Sequence, residues 1–319
     1  MKNIPQIKNI FDNNIKALDY ISNEIESKPE LKEYIFNIVL SLKQYFSETE
    51  HYGLTFIKNF AEISNVILFI EKIIKSYGIS EDFKSILKNI NDNFVIEEGN
   101  IKDNNQNKNK LFILLIAYLS QEYGNVKNLN FIFDEHKPDI IIDVWDENWG
   151  IVCKSIVENN FEEILLNIKK GIIALNNANI KKGFLIFNFT NVIDHNLFLP
   201  ILNKLDFYKN EIPIFAEYNS IDMPYSILHS FNSTTKFKLN EKIDLAEYSK
   251  LNINDKCSIG FVTYIQPLIF KTKEKECEID FFRNFDFISL DNEKQTLIYI
   301  EENLNRSVQE RFVNDDVDL

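Results

Sequence analysis

One short segment of the sequence combines residue types that could do chemistry at a fixed spacing. It reads PDIIIDVWDENWGIVCKSI and occupies residues 138–156. Its apolar runs are short and rich in β-branched residues, and they are interrupted by a polar cluster. The pattern predicts a β-hairpin whose strands, 139–144 and 149–154, are joined by a turn around residues 146–148.

The hairpin would bring a carboxylate beside an ammonium group. In the register we expect, Asp139 lies directly opposite Lys154, and Asp143 and Val152 share their face of the sheet. A charged pair in an otherwise apolar sheet is costly to bury, so its presence there indicates a function. A slip of one residue would separate the two groups. The alternative interpretation is an exposed salt bridge on a solvated sheet face.

Other catalytic signatures are absent from the sequence. It contains no GxxxxGK[ST], GxGxxG, GxSxG, HExxH or CxxC motif. Cys153, Cys257 and Cys277 are too few and too scattered for a disulfide framework or a zinc site, and we expect them to be reduced and mostly buried. His195 follows Asp194 but has no serine or cysteine motif attached, which is typical of a loop residue.

The segments around the hairpin define the elements that must position it. Residues 109–123 predict an apolar helix ending at Gly124, and a strand-like run at 130–133 precedes the hairpin. A helix over about 160–177 and a strongly apolar strand at 183–189 follow it. A meander joined to a helix–strand crossover predicts an α/β fold with a mixed sheet and helices on its faces.

The rest of the chain suggests two domains. Residues 1–97 place apolar side chains at helical spacing without strand-like alternation, which predicts an all-α N-terminal domain. Residues 98–110, EGNIKDNNQNKNK, are polar and aperiodic, as expected of a linker. Residues 111–319 then form the α/β domain.

The hairpin and the order of its neighbours resemble the PD-(D/E)xK nuclease superfamily, whose fold is the restriction-endonuclease-like core. In that family an Asp, often after Pro, opens the second strand, and an acidic residue, any residue and a Lys follow on the third. Pro138 and Asp139 match the first half, and Lys154 matches the lysine. Val152 stands where the family has its second acid. The resemblance covers about residues 105–205.

The resemblance implies a site for Mg²⁺, with Mn²⁺ as an alternative. Asp139 and one further carboxylate, from Asp143 or Glu122, would hold the metal. Lys154 would orient or activate the attacking water. A Gln or Lys on the following helix often points into the site in this family, and Lys169 is the nearest match.

The implied function is Mg²⁺-dependent hydrolysis of nucleic-acid phosphodiester bonds, in genome defence or a mobile element, with DNA favoured over RNA. The valine at position 152 and a net charge of −13, from 35 basic and 48 acidic residues, favour an alternative. In it, a degenerate nuclease fold binds nucleic acid or protein as a regulatory module. Any nucleic-acid contact would need a local basic patch, such as the two NIKKG segments, since the whole protein is acidic. A third hypothesis is a helical interaction protein whose α/β half is only a scaffold.

The sequence also limits where the protein works. Its longest strictly apolar run, residues 111–119, is nine residues long, whereas a membrane-spanning helix needs about 20. We therefore expect a cytoplasmic protein without a signal peptide or a membrane partner. The N-terminal helices are the expected surface for a homodimer or a protein partner.

Overall fold

The computed structural model describes both halves of the chain in part. It covers residues 5–24, 67, 71, 74–75, 105–120, 123–129, 136–156, 160–190, 192, 222–251, 256–257, 259–266, 268–273, 276–281, 283–290 and 295–309. The chain divides into two compact units. The first is Met1–Leu111 with Leu199–Glu217 and Phe270–Glu278, and the second is Phe112–Phe198 with Tyr218–Ile269 and Ile279–Leu319.

One helix of the first unit is described at length. Helix α1 (Pro5–Glu24) buries Ala17, Leu18 and Ile21, which recur at the one-, three- and four-residue spacing of a single helical face. Most of the predicted all-α domain, residues 1–97, lies outside the described residues, so that prediction is tested only over this helix.

The remaining elements follow in chain order, most of them in the second unit. They are α2 (Asn105–Ser120), β1 (Asn125–Leu129), β2 (Ile140–Val144), β3 (Glu147–Ser155), α3 (Phe161–Asn177), β4 (Lys182–Asn188), α4 (Asp222–Lys242), α5 (Leu245–Leu251), β5 (Gly260–Ile265), β6 (Leu268–Lys273), β7 (Glu276–Phe281), β8 (Asn284–Ser289) and α6 (Gln295–Val308). Within the described ranges, no helix has the length and apolar character needed to cross a membrane.

Six of the strands form a mixed sheet in the order β1-β2-β3-β4-β5-β8, and β6 and β7 pair separately. The β1–β2, β2–β3 and β5–β8 pairs are antiparallel, whereas β3, β4 and β5 run parallel. The predicted α/β class with a mixed sheet is therefore confirmed. Parallel strands need a crossover between them, and α3 provides the one between β3 and β4.

Two element boundaries differ from the sequence prediction. Helix α2 begins at Asn105, so residues 105–110 of the predicted linker are helical. These six residues contain neither Gly nor Pro, so they can be part of the helix. Because all six are polar, they show no apolar periodicity from which a helix could be predicted. The first strand is Asn125–Leu129, and the predicted run at 130–133 lies outside the described residues.

One face of the sheet is covered by α3 and α4. A Cβ atom added to Gly150 or Gly183 would meet Leu175 of α3 at 3.0 and 2.7 Å, so these glycines permit the close approach of helix and sheet. From α4, Asn232 donates to the Thr263 hydroxyl at 3.1 Å. The core on this face is aromatic, with stacked rings of Phe187, Phe189 and Phe261.

The opposite face is covered by α2 and α6. Phe112 of α2 stacks on Tyr264 of β5, with ring centroids 5.5 Å apart. Tyr299 of α6 lies edge-on to Trp149 of β3 at 5.7 Å. Both faces of the sheet are therefore buried, as the near-continuous apolar strands require.

The turn between β2 and β3 is tighter than the sequence suggests. Val144 pairs with Glu147, so Trp145 and Asp146 alone form the turn, with φ of 52° and 64°. Two successive positive φ values characterise a type I′ turn, whose twist matches that of the flanking strands. Trp145 therefore lies in the turn itself, outside the paired residues of the two strands.

Asp146→Gly should stabilise the protein by about 0.5–1 kcal/mol, because glycine adopts a positive φ without steric cost. Thermal or urea unfolding would measure the change. Asp244→Gly is the control, since the Asp244 carboxylate accepts hydrogen bonds from Ala246 and Glu247 and its removal should destabilise instead. A loss of stability in Asp146→Gly would show that the positive φ at position 146 costs the folded protein nothing.

Candidate functional site

The observed hairpin register differs from the expected one by two residues. Ile140 pairs with Ile151 rather than Cys153, so the expected pairing of Asp139 with Lys154 is not formed. The shift follows from the two-residue turn. Asp139 lies in a bend just before β2, outside the paired residues. Val152 and Lys154 share one face of β3, because side chains alternate with a period of two. Lys154 lies near enough to Asp139 for its positive charge to lower the pKa of that carboxyl, against the larger effect of burial.

Asp139 is built into the hairpin by its backbone and its carboxylate. Its backbone N–H donates to the Ile151 carbonyl at 2.9 Å, and its Oδ2 accepts from the Cys153 N–H at 2.7 Å. These two bonds extend the strand pairing beyond the start of β2. The side chain is only 5% exposed, and this burial raises the pKa of Asp139 to about 6, against the opposing effects of Lys154 and the Cys153 bond.

Lys154 lies half-buried on the face that α3 covers. Its partner on β4 is Phe187, and the ammonium group makes no hydrogen bond or ion pair with any residue in the described part of the chain. A lysine so placed, with an apolar wall on one side, is available to an anion such as a phosphate group.

Cys153 lies between these functional positions but points to the other face. Its side chain is fully buried, and burial raises its pKa well above the ordinary thiol value, with the neighbouring Asp139 carboxylate adding to the effect. The thiolate form is therefore suppressed. The expectation of a buried, unreactive cysteine is confirmed at this position.

Val152 occupies the place that the nuclease motif gives to its second acid. Its side chain is 3% exposed and belongs to the apolar core formed with Ile168, Ile172 and Leu185. The third strand therefore contributes no carboxylate to the site.

Asp143 does not reach the site either. It lies four residues from Asp139 on β2, a distance of about 13 Å along a strand. Its carboxylate forms an ion pair with Lys127 of β1 instead. The structure therefore does not bring Asp143 to Asp139, and this geometry gives no support to its predicted role as the second carboxylate.

Glu122 lies outside the described residues, so its predicted role stays untested. Its neighbour Gly124 lies at the Asp143 end of β2, since a Cβ added there would come within 2.9 Å of the Asp143 carbonyl oxygen. Among the residues that the structure describes, no three His, Cys, Asp or Glu side chains are grouped to hold a metal ion. Asp139 is the single described carboxylate beside Lys154.

Lys169 points away from the site. Its ammonium contacts the Glu247 carboxylate of α5 at 2.5 Å, and Asn176, farther along α3, donates to the Leu251 carbonyl at the end of α5. Helix α5 therefore lies along the side of α3 that carries Lys169. This is also the side toward α4, which lies over β5 and β8. The hairpin next to Asp139 lies toward the other end of the sheet, on the other side of α3. Lys169 is thus a surface residue that joins two helices.

The helix position that faces the hairpin is Asn167. Leu175 lies against Gly183, and a Cβ at Gly171 would meet Leu185, so each helical turn toward the start of α3 advances two residues along β4. One further turn places Asn167 level with Phe187, the partner of Lys154. Asn167 is also about 200° around the helix from Lys169, on the side away from α5. Asn167 was not a candidate in the sequence, because the family resemblance implies a Gln or Lys on this helix.

Lys169→Ala should cost less than about 1 kcal/mol of stability, because exposed ion pairs contribute little. Urea unfolding would measure the effect. Glu247→Ala should match it, since it removes the other half of the same ion pair. A loss well above about 1 kcal/mol in both variants would show that this pair contributes more than an exposed salt bridge.

Comparison with known proteins does not identify this site. No protein-family model matches the chain, and neither a curated protein nor a solved structure matches it. The assignment therefore rests on Asp139, Val152, Lys154 and their partners in the sheet.

Proposed function

We propose that the chain has a restriction-endonuclease-like core that binds nucleic acid at Lys154 and does not hydrolyse it. The order helix, three strands, helix, strand from α2 to β4 supports the core, as does Lys154 on β3 near the buried Asp139. The observation that carries the absence of hydrolysis is the buried Val152 at the place of the second acid.

The described residues fit a Mg²⁺ ion incompletely. Mg²⁺ in proteins usually binds one or two carboxylates together with water and substrate phosphates. Here Asp139 alone is at hand, and one of its oxygens already accepts the Cys153 N–H. We therefore assign no step to a metal ion. In this proposal Asp139 has a structural role, because its hydrogen bond to the Cys153 N–H fixes the strand that carries Lys154.

Lys154 supplies the positive charge for a phosphate group in this proposal. The Asp139 carboxylate opposes it, because a negative charge beside the phosphate repels it. Since the pKa of Asp139 is about 6, this repulsion is present at neutral pH and is lost as the pH falls through that value. Binding should thus strengthen on acidification.

Fluorescence anisotropy with labelled DNA and RNA oligonucleotides, in a chelating buffer, tests the proposal. Lys154→Gln should weaken binding roughly tenfold, the loss expected for one charge-assisted hydrogen bond. Wild-type affinity should rise between about pH 7 and pH 5, whereas that of Asp139→Asn should change less.

The matched control is Lys127→Gln. It removes one positive charge from the neighbouring strand, beside Asp143 and away from Lys154. If Lys127→Gln and Lys154→Gln weaken binding equally, the contact is diffuse electrostatic attraction and not a site. If neither the wild type nor any variant binds an oligonucleotide, the proposal fails.

A Mg²⁺-dependent nuclease is the second candidate function. It is favoured by the buried Asp139 with Lys154 near it, a pair of charged residues that apolar packing alone does not require. It would need a carboxylate from outside the described residues, such as Glu122. Residues 1–97 would serve dimerisation or a protein partner in either case.

A further inference from the structure

The two tryptophans of the chain have opposite environments. Trp149 is 2% exposed, whereas Trp145, at the tip of the same hairpin, is 74% exposed. Trp145 also adopts a positive φ of 52°, which is unfavourable for a bulky side chain. An indole ring that is both exposed and held in a strained turn adds nothing to stability that a smaller residue would not. Such features mark functional positions more often than structural ones.

The exposed ring is nevertheless held in place from below. Tyr299 of α6 packs against Trp145 with ring centroids 5.3 Å apart, and the same tyrosine contacts the buried Trp149. The Lys182 ammonium lies over the Trp149 ring at 4.9 Å. The Tyr299 ring, which itself packs on Trp149, thus supports Trp145 on one side. Its rigid support lowers the entropy lost when a ligand stacks on the free part of the ring.

The charges around the tip favour a base over a phosphate on the ring itself. Asp146 and Glu147 follow Trp145 directly and repel anions. Lysines lie on both sides of Asn148, which accepts from the Lys127 ammonium through Oδ1 and from the Lys181 backbone N–H through its carbonyl. This arrangement places an uncharged planar group at the tip, and the Lys127 ammonium is already bound by Asn148 and Asp143.

We infer that Trp145 stacks on an unpaired base of the nucleic acid bound at Lys154; the inference rests on the proposed function. Trp145 lies six residues from Asp139 along the hairpin, about 20 Å. A chain that passes from Lys154 to the tip would therefore span several nucleotides. Stacking requires an accessible base face, so the preferred ligand is single-stranded nucleic acid or an unpaired end.

Intrinsic fluorescence tests the inference directly, because only two tryptophans are present. Titration with an unlabelled single-stranded oligonucleotide should quench the longer-wavelength emission of exposed Trp145 and spare that of buried Trp149. Trp145→Phe removes the quenched signal but keeps a ring that can stack.

Anisotropy with a labelled single strand supplies the affinity. Trp145→Ala should weaken binding roughly 5- to 100-fold, the range for loss of one base–aromatic stack, and Trp145→Phe should retain most of the affinity. Binding of a blunt duplex of the same sequence should not change. Phe237→Ala is the matched control, since Phe237 on α4 is an aromatic side chain of similar exposure, 64%.

The possible failures are distinguishable. If the wild type binds the single strand and Trp145→Ala binds it equally well, the stacking inference is wrong while the proposed function stands. If the wild type binds neither single strand nor duplex, both fall. If Trp145→Ala instead abolishes binding to a protein partner and leaves nucleic-acid binding intact, the tip is a protein interface.

Discussion

Asp139→Asn is expected to stabilise the folded protein at neutral pH, although it removes the most conspicuous acid of the hairpin. Burial raises the pKa of this carboxyl from 3.8 to about 6. The charged form is therefore less favourable in the folded state than in the unfolded state. Two pKa units correspond to about 3 kcal/mol. Asparagine keeps an oxygen that can accept from the Cys153 N–H but carries no charge.

The pH dependence gives the sign of the effect. A raised pKa contributes stability to the wild type that is fully present below pH 3.8 and is lost as the pH rises through about 6. The advantage of Asp139→Asn should therefore be near zero in acid and approach about 3 kcal/mol above neutrality. Urea unfolding of both proteins across this range would measure it.

Asp143→Asn is the matched control for this experiment. It makes the same chemical change on the same strand, but the Asp143 carboxylate is half-buried and paired with Lys127, so no gain is expected. If Asp139→Asn proves less stable than the wild type above neutrality, Lys154 compensates the buried charge more strongly than burial penalises it. The pair would then be a stabilising ion pair.

Val152→Glu is expected to create a metal-binding site at the cost of stability. The substitution places a carboxylate next to Cys153, whose backbone N–H bonds the Asp139 carboxylate, but in an apolar environment that Val152 shares with Ile168 and Leu185. Without metal we expect a loss of about 3 kcal/mol, typical of an unpaired buried charge. Mn²⁺ or Mg²⁺ should restore most of it, since a ligand at a hundred times its Kd stabilises by about 2.7 kcal/mol.

Thermal unfolding with and without Mn²⁺ would measure this rescue. Val152→Gln is the control, because it has the same shape as the glutamate variant but no charge. Metal should stabilise Val152→Glu and leave both the wild type and Val152→Gln unchanged. Equal stabilisation of the two variants, or none in either, would show that position 152 and Asp139 do not converge on one ion.

Periodicity explains why the sheet and the faces of its strands could be predicted from the sequence. Alternation along β2 and β3 determines which side chains share a face, and an even error in register does not alter it. The turn could not be predicted, because Trp145 and Asp146 lack the Asn-Gly signal of a type I′ turn. The two-residue shift from that turn moved the partner of Ile140 from Cys153 to Ile151.

Contacts remote in sequence determine the parts that the sequence did not reveal. The resemblance suggested Lys169 as the lysine of the helix after the hairpin, but the direction of its side chain depends on Glu247, 78 residues away. Asn167 became apparent only from the packing of Gly171 on Leu185. Similarly, the pairing of Asp143 with Lys127 depends on β1, whose sequence NVKNL has little of a strand pattern.

The most direct test of this account incubates the wild type with labelled DNA and RNA, first in chelator and then with Mg²⁺ or Mn²⁺. Asp139→Ala and Lys154→Ala are treated in the same way. We predict that the oligonucleotides bind without metal, that metal leaves them intact, and that binding depends on Lys154. Metal-dependent cleavage that both substitutions abolish would contradict the account and establish a nuclease whose second carboxylate comes from elsewhere in the chain.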